Sequence, residues 1–275
     1  MSLERLVTYR GRKGPVLLIV ADGVGIAPPG PANAVSLAET PVLDRLLGST
    51  YSTQLHAHGP WVGLPSEQDM GNSEVGHNAL GSGQIISQGA SLVNDAFESG
   101  DLFRSETWRE IEQRGQNGGT VHFVGLLSDG NVHSHIDHLL AMLTRCRQVS
   151  IQQVRIHCLL DGRDVDPRSA IGYVEQLETL LADINSVDGF NYCVASAGGR
   201  MTITMDRYEA DWEMVRLGYE THVLGIGNPV RDVKAEIERQ YVASDDVTDQ
   251  TLQPFVVVDE NGDPTGIMQD GDAVL

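Results

Sequence analysis

Val154-Arg155-Ile156-His157-Cys158-Leu159-Leu160-Asp161-Gly162-Arg163-Asp164 decides the fold of this chain. Val154 to Leu160 is a short, largely apolar run without polar alternation, which marks a strand covered on both faces, and it stops at Asp-Gly. Val121 to Leu127 and Tyr192 to Ser196 have the same character, and amphipathic segments around Ile136 to Arg147 and Ser169 to Ile184 separate the three. Strands alternating with helices predict an α/β fold with a parallel sheet. The carboxyl ends of its strands lie on one edge, so Ser128-Asp129-Gly130-Asn131-Val132-His133-Ser134-His135, Asp161-Gly162-Arg163-Asp164 and Gly198-Gly199-Arg200 should meet at one crevice.

Upstream, Val16 to Val20 also has the form of a buried parallel strand, between Gly14-Pro15 and Asp22-Gly23. Thr40-Pro41 opens a helix to Leu47 that should turn Leu43, Leu46 and Leu47 inward. Tyr51 to His58 is the next candidate strand, and a domain boundary is placed near residue 86, after Gly81-Ser82-Gly83. Downstream, a helix carries Trp212, Val215 and Tyr219, and His222 to Leu224 should extend the sheet. Pro254 to Val258 and Thr265 to Met268 suggest a hairpin turning at Asn261-Gly262. Asp272 to Leu275 has the look of the first residues of another strand.

The 275 residues carry 38 acidic against 19 basic side chains, a formal net charge of -19. This field repels nucleic acid and anionic membranes, and any anionic substrate must be caught by clustered arginines. Met1 to Arg12 has no apolar signal core and no run reaches membrane-spanning length, so a soluble cytoplasmic protein is expected. Cys146, Cys158 and Cys193 lack paired metal spacing and should be packed, reduced thiols.

Asp69-Met70-Gly71-Asn72-Ser73-Glu74-Val75-Gly76-His77 offers a nucleophile. Ser73 lies in glycine-punctuated surroundings before a helix-compatible run, although such a serine also suits a helix cap. Asp22, at the end of its strand, could share a divalent metal with Ser73, lowering the hydroxyl pKa. His133, Arg163, Asp164, Arg200 and Arg207 suit phosphate and carboxylate, with Asp164 an acid or base beside a cation. Taken singly, each arginine could be a surface ion pair and His133 a loop-capping or core residue. His135 and His138 one turn apart, and His56 with His58, lack the third ligand of a zinc site.

Val20-Ala21-Asp22-Gly23, Asp69 to His77, Leu127 to Ser134, Leu160 to Asp164, and Gly199-Arg200 with Met205-Asp206-Arg207 occur in the order found in cofactor-independent phosphoglycerate mutases, of the alkaline phosphatase superfamily. The chain closely resembles that family over nearly its whole length. The resemblance implies an alkaline-phosphatase-like domain, here residues 1–86 as its first part, interrupted by an inserted α/β phosphotransferase domain, here 87–275. It implies two divalent metals, manganese with magnesium or cobalt as alternatives, and no 2,3-bisphosphoglycerate. Ser73 would take the phosphoryl group of 2- or 3-phosphoglycerate, with Asp22 and Ser73 on one metal. His133, Arg163, Asp164, Arg200 and Arg207 would hold substrate, and Asp164 would handle the glycerate hydroxyl proton. Relatives continue into an Asn-Phe-Arg-x-Asp-Arg segment and the remaining metal ligands, which lie beyond Leu275. The chain is therefore expected to be an amino-terminal portion, inactive alone and a partner for the missing part. Another phosphomutase of the superfamily, or a metal-free anion-binding module, are the alternatives.

Overall fold

In the computed structural model, which describes residues 7–21, 24, 26–205 and 209–275, the three central runs form β1 (Val121–Leu126), β2 (Gln153–Leu160) and β3 (Asn191–Gly199). They lie side by side and parallel, with Val154 opposite both Val121 and Tyr192. From Val154 to Leu160, β2 is buried throughout, the reason its sequence shows no polar alternation. Helices α7 (Ile136–Gln148) and α8 (Ala170–Asn185) make the crossovers. The stripe Ala170, Val174, Leu177, Leu181 and Ile184 is buried on α8, spaced as one face of a helix, and each large side chain in it contributes about 1.5–3 kcal/mol. Asp249 closes this helix from a distance, Oδ2 accepting the N–H groups of Ser169 and Ala170 at 2.9 Å.

The complete sheet has the order β4-β5-β3-β2-β1-β6, with β4 at Asn228–Val230, β5 at Phe255–Val257 and β6 at Ala273–Val274. Asp272 to Leu275 does begin a strand, since β6 runs parallel to β1. The opposite edge departs from expectation, because β5 is antiparallel to β3 and parallel to β4. No strand forms at His222 to Leu224. His222 closes α9 (Trp212–His222), and Val223 keeps a helical backbone with its N–H on Tyr219 O. Helix α10 (Val233–Ala243) follows β4. The turn at Asp259 to Asp263 closes as expected, Asp259 N donating to Asp263 O at 2.9 Å. Its second arm pairs through the isolated Val258–Pro264 bridge, made by Asp259 N on Asp263 O and Thr265 N on Val257 O at 3.0 Å, a position where proline's missing N–H is not needed.

Two compact units divide at His56 and Ala57, earlier in the chain than the expected boundary near 86. Unit 57–275 also contains α3 (Ser73–Ser82), α4 (Gly89–Ser99), α5 (Asp101–Arg104) and α6 (Glu106–Gln116). Unit 1–56 holds α1 (Ala34–Leu37) and α2 (Pro41–Leu47), and none of its described residues is buried. The expected strand Val16 to Val20 is irregular, with Leu17 81% exposed, and Leu46 and Leu47 of α2 face solvent. A strand needs a neighbour to take its backbone N–H and C=O groups, and none is provided by the described residues of this unit. Tyr51 to His58 is likewise not a strand; the chain leads into a 3-10 turn at Gly59–Val62. No described helix is long and apolar enough to cross a membrane.

Candidate functional site

Asn72 caps α3, its side-chain oxygen accepting the Val75 N–H at 3.1 Å. The capping role weighed for Ser73 thus belongs to its neighbour, and Ser73 is exposed at the first helical position, where the helix terminus favours an anion. One turn on, His77 Nδ1 lies 2.6 Å from the Ser73 carbonyl oxygen and 3.2 Å from Ser73 Oγ. The short approach to a carbonyl requires hydrogen on Nδ1. That nitrogen donates, and it is not the base for the serine hydroxyl.

The loop before Ser73 is fixed by close packing and by one carboxylate. A Cβ on Gly71 would come 1.8 Å from the Ala57 carbonyl oxygen, so only glycine lets the two strands of chain pass. Asp69 Oδ2 accepts Ser66 N and Oγ at 2.7 and 2.8 Å, and Oδ1 accepts Asn131 Nδ2 at 2.7 Å. Burial would raise the Asp69 pKa, but the bonds from Asn131 and Ser66, with His135 nearby, hold it below its ordinary value. Asn131 sits at φ 55 in the loop after β1, a left-handed conformation that asparagine tolerates better than most residues. The pair ties the Ser73 loop to the loop that carries His133. Between them is a cavity of about 350 Å³, bordered by Asn72, Glu74 and Val75 on one side and Asn131, His133 and Ser134 on the other.

At the ends of β2 and β3 the arginine is already engaged. Arg200 Nη1 lies 2.7 Å from Asp161 Oδ1 and 2.7 Å from Asp164 Oδ2, with Asp161 2% and Asp164 12% exposed. Asp161 also accepts Ser128 Oγ at 2.6 Å and the N–H groups of Arg163 and Asp164. Burial pushes its pKa up, yet the bonds from Ser128, Arg200, Asp164 and Arg163 outweigh burial and keep it below the usual value. Arg200 answers in kind: burial lowers its pKa, and Asp164 and Asp161 more than restore it. The Arg163 side chain is exposed beside this cluster.

The strand ends therefore gather Asp161, Asp164, Arg163 and Arg200, and the neighbouring loop brings His133 towards α3, where it lines the cavity beside Asn72 and Glu74, which the Asp161–Arg200–Asp164 cluster does not border. Asp22 and Arg207 lie outside the described residues. His135 caps α7, its Nδ1 accepting the Asp137 N–H at 3.1 Å, and His138 contacts Asn94 Oδ1 at 2.6 Å while stacking on Phe97. Among the described residues, no three His, Cys, Asp or Glu side chains form a metal-ligand cluster. The anchoring roles of Asp69, Asn131 and Asp161 escaped the sequence; the one signal was an acidic residue directly following the buried run of β2.

Residues 93–275 match the family model described as BPG-independent PGAM N-terminus. A probable 2,3-bisphosphoglycerate-independent phosphoglycerate mutase of Leptospira interrogans is 48% identical over all of this chain and 50% of its own length. The Trypanosoma brucei brucei enzyme of that name is 43% identical, over 94% of this chain and 47% of its own length. The structure of Leishmania mexicana phosphoglycerate mutase at low cobalt concentration superposes with a TM-score of 0.86 at 42% identity, covering 92% of this chain and 46% of that one. The chain spans about half the length of the curated relatives it matches. With the motifs in order and the family model matched across β1 to β6, the chain belongs to the family of amino-terminal regions of 2,3-bisphosphoglycerate-independent phosphoglycerate mutases.

Proposed function

We propose that this chain supplies the nucleophile and part of the substrate site for interconversion of 2- and 3-phosphoglycerate. The observation that carries this reading is the Asn131–Asp69 bond, which couples the Ser73 loop to the loop of His133. Ser73 Oγ forms a bond to phosphorus as the bond to the glycerate oxygen breaks; after glycerate turns, its other hydroxyl attacks phosphoserine and releases Ser73. His133, Arg163, Arg200 and Arg207 bind the anionic groups, and Asp164 takes and returns the glycerate hydroxyl proton. The chain would comprise the first part of a phosphatase-like domain to about residue 86, followed by the inserted phosphotransferase domain.

Two divalent ions, manganese or alternatively magnesium or cobalt, belong to the proposal, as does independence of 2,3-bisphosphoglycerate and a cytoplasmic setting. The described residues do not by themselves fit a metal-ligand set. The chain alone is proposed to be inactive and to need the portion that its relatives carry beyond it. The test is incubation with 3-phosphoglycerate, manganese and the carboxyl-terminal half of a full-length relative, followed by mass spectrometry. Phosphate on Ser73, and turnover lost in Ser73→Ala, is the expected result. Turnover that survives Ser73→Ala would remove Ser73 as nucleophile. Binding of phosphoglycerate by the chain with no effect of metal or partner would favour the anion-binding module instead.

A further inference from the structure

Four polar side chains lie buried across the sheet: His122 on β1, His157 on β2, Ser196 on β3 and His222 at the end of α9, none more than 3% exposed. A bulge makes the file possible. Ile156 pairs with Val194 but His157 pairs with Ser196, so Ala195 is skipped and the hydroxyl reaches the imidazole. Asp272 Oδ2 is 3.3 Å from His122 Nε2, His122 Nδ1 is 2.9 Å from His157 Nε2, His157 Nδ1 is 2.7 Å from Ser196 Oγ, and Ser196 Oγ is 2.8 Å from His222 Nδ1. His222 Nε2 is buried with no hydrogen-bond partner among the described residues.

Hydrogen counting gives the file a direction. An ionised carboxylate only accepts, so His122 carries its hydrogen on Nε2, and its Nδ1, bare in the neutral ring, accepts from His157 Nε2. His157 Nδ1 is then the acceptor for the Ser196 hydroxyl, whose oxygen accepts from His222 Nδ1. The open end is the lone pair of His222 Nε2. Asp272 belongs to the segment that covers this face of the sheet: its oxygens also take Thr120 N and Gln269 N at 2.8 Å. In the same segment Thr265 O accepts Arg155 Nε at 2.6 Å, Met268 N donates to Val223 O at 3.0 Å, and a Cβ on Gly266 would lie 2.3 Å from Ala195 Cβ.

We propose that Asp272, His122, His157, Ser196 and His222 form one acid-sensitive latch, neutral and directed towards Asp272 near pH 7, that holds residues 264–275 and the end of α9 against the sheet. The charged groups facing it are Asp272 from the closing segment, which favours a proton on His122, and Arg155 from β2, which opposes one on His122 and His157. Burial lowers all three imidazoles: His222 to about 4, and His157 to about 2 with help from His222, His122 and Arg155. Each folded value lies below the free imidazole value of ~6.5. The opened form therefore binds more protons as pH falls below ~6.5, and the latch is fully closed above that pH and weakens below it. Opening that exposes one imidazole gains about tenfold per pH unit, and three together as much as ~1000-fold.

The test is hydrogen exchange at Thr265 and Met268, whose N–H groups donate to Val257 O and Val223 O, between pH 6.5 and 5, above the range of ordinary carboxylates. Nitrogen-15 spectra of the imidazoles accompany it. Expected are hydrogens on Nε2 of His122 and His157 and on Nδ1 of His222 at pH 7, with an opening equilibrium that rises more than about tenfold per pH unit. His222→Asn keeps a donor for Ser196 at the place of Nδ1 but cannot titrate, and should lower that slope by about one proton. Imidazolium or the opposite tautomers at pH 7, an opening equilibrium independent of pH once the intrinsic exchange rate is divided out, or an unchanged slope in the variant would each overturn the proposal. If the variant does not fold, the tautomers of the unaltered chain decide.

Discussion

Arg200→Met tests the cluster at the strand ends most severely. One nitrogen, Nη1, serves both Asp161 and Asp164, so removing the guanidinium leaves two carboxylates side by side. Breaking a buried pair by deleting one partner costs about 3–5 kcal/mol. Asp164, at 12% exposure, can turn part of its charge to water, whereas Asp161, at 2%, cannot; a loss near ~3 kcal/mol at pH 7 is expected. The pH dependence carries more information than the size. In the unaltered chain the Asp161 pKa is depressed, so the stability it contributes is present above the ordinary carboxylate value and is lost as pH falls through the folded value. Without Arg200, burial and the neighbouring carboxylate raise that pKa, so the deficit of the variant shrinks as pH falls from 7 towards 4. Urea unfolding followed by the fluorescence of Trp108, 2% exposed, measures both. Arg200→Lys should retain more stability than Arg200→Met, because a single nitrogen makes both contacts. A loss under about 1 kcal/mol at pH 7, or one that does not shrink in acid, would refute the account.

Two further changes address the loop and the core. Gly71→Ala forces the Ala57 carbonyl, 1.8 Å from the added carbon, to move; a loss of about 1–3 kcal/mol local to the loop is expected, seen as faster hydrogen exchange at Gly59 and Val75 with β2 unchanged. Unchanged exchange at Gly59 would show that the loop has slack. Among the thiols, burial raises Cys146 and Cys158 to about 12, and both are sealed in the core. Alkylation of the folded chain at pH 8 should mark Cys193 and spare the other two until denaturant is added; equal labelling of all three would contradict the packing.

What could be read from the sequence follows from where interactions are local. β1, β2 and β3 announce themselves because each is covered on both faces, so burial writes itself into most positions of the run. Val16 to Val20 carries the same signature without the partners, and an apolar run cannot report whether neighbours exist to take its backbone N–H groups. β5 falls within Pro254 to Val258, a run the sequence does mark as extended, whereas in β4, three residues long, Asn228-Pro229 gives no sign of a strand; it forms because β5 offers an edge. The histidine file was equally hidden. His122, His157 and His222 each sit in a different element, and only the bulge at Ala195, a tertiary feature, brings Ser196 between two of them.

The same distinction governs the candidate site. The clusters at the strand ends disclosed which residue types would meet, but not how their charges would balance. Asp161 and Asp164 against Arg200 and Arg163 sum to no net charge, and Arg200 spends Nη1 on the carboxylates while Nε and Nη2 form its other edge. A guanidinium oriented by two carboxylates on one side is well placed to present that other edge to a phosphate. It is poorly placed to attract one, since the cluster offers a dianion no surplus positive charge and the chain around it is strongly acidic. Phosphate binding in this crevice therefore needs cations beyond these four residues. Arg207 is one candidate within the chain, and the curated relatives, of which this chain spans about half, have further length from which others would come under the proposed function. If Arg163, Asp164 and Arg200 hold substrate as proposed, the strand-end cluster fixes its direction, and the affinity depends on charge that arrives from elsewhere.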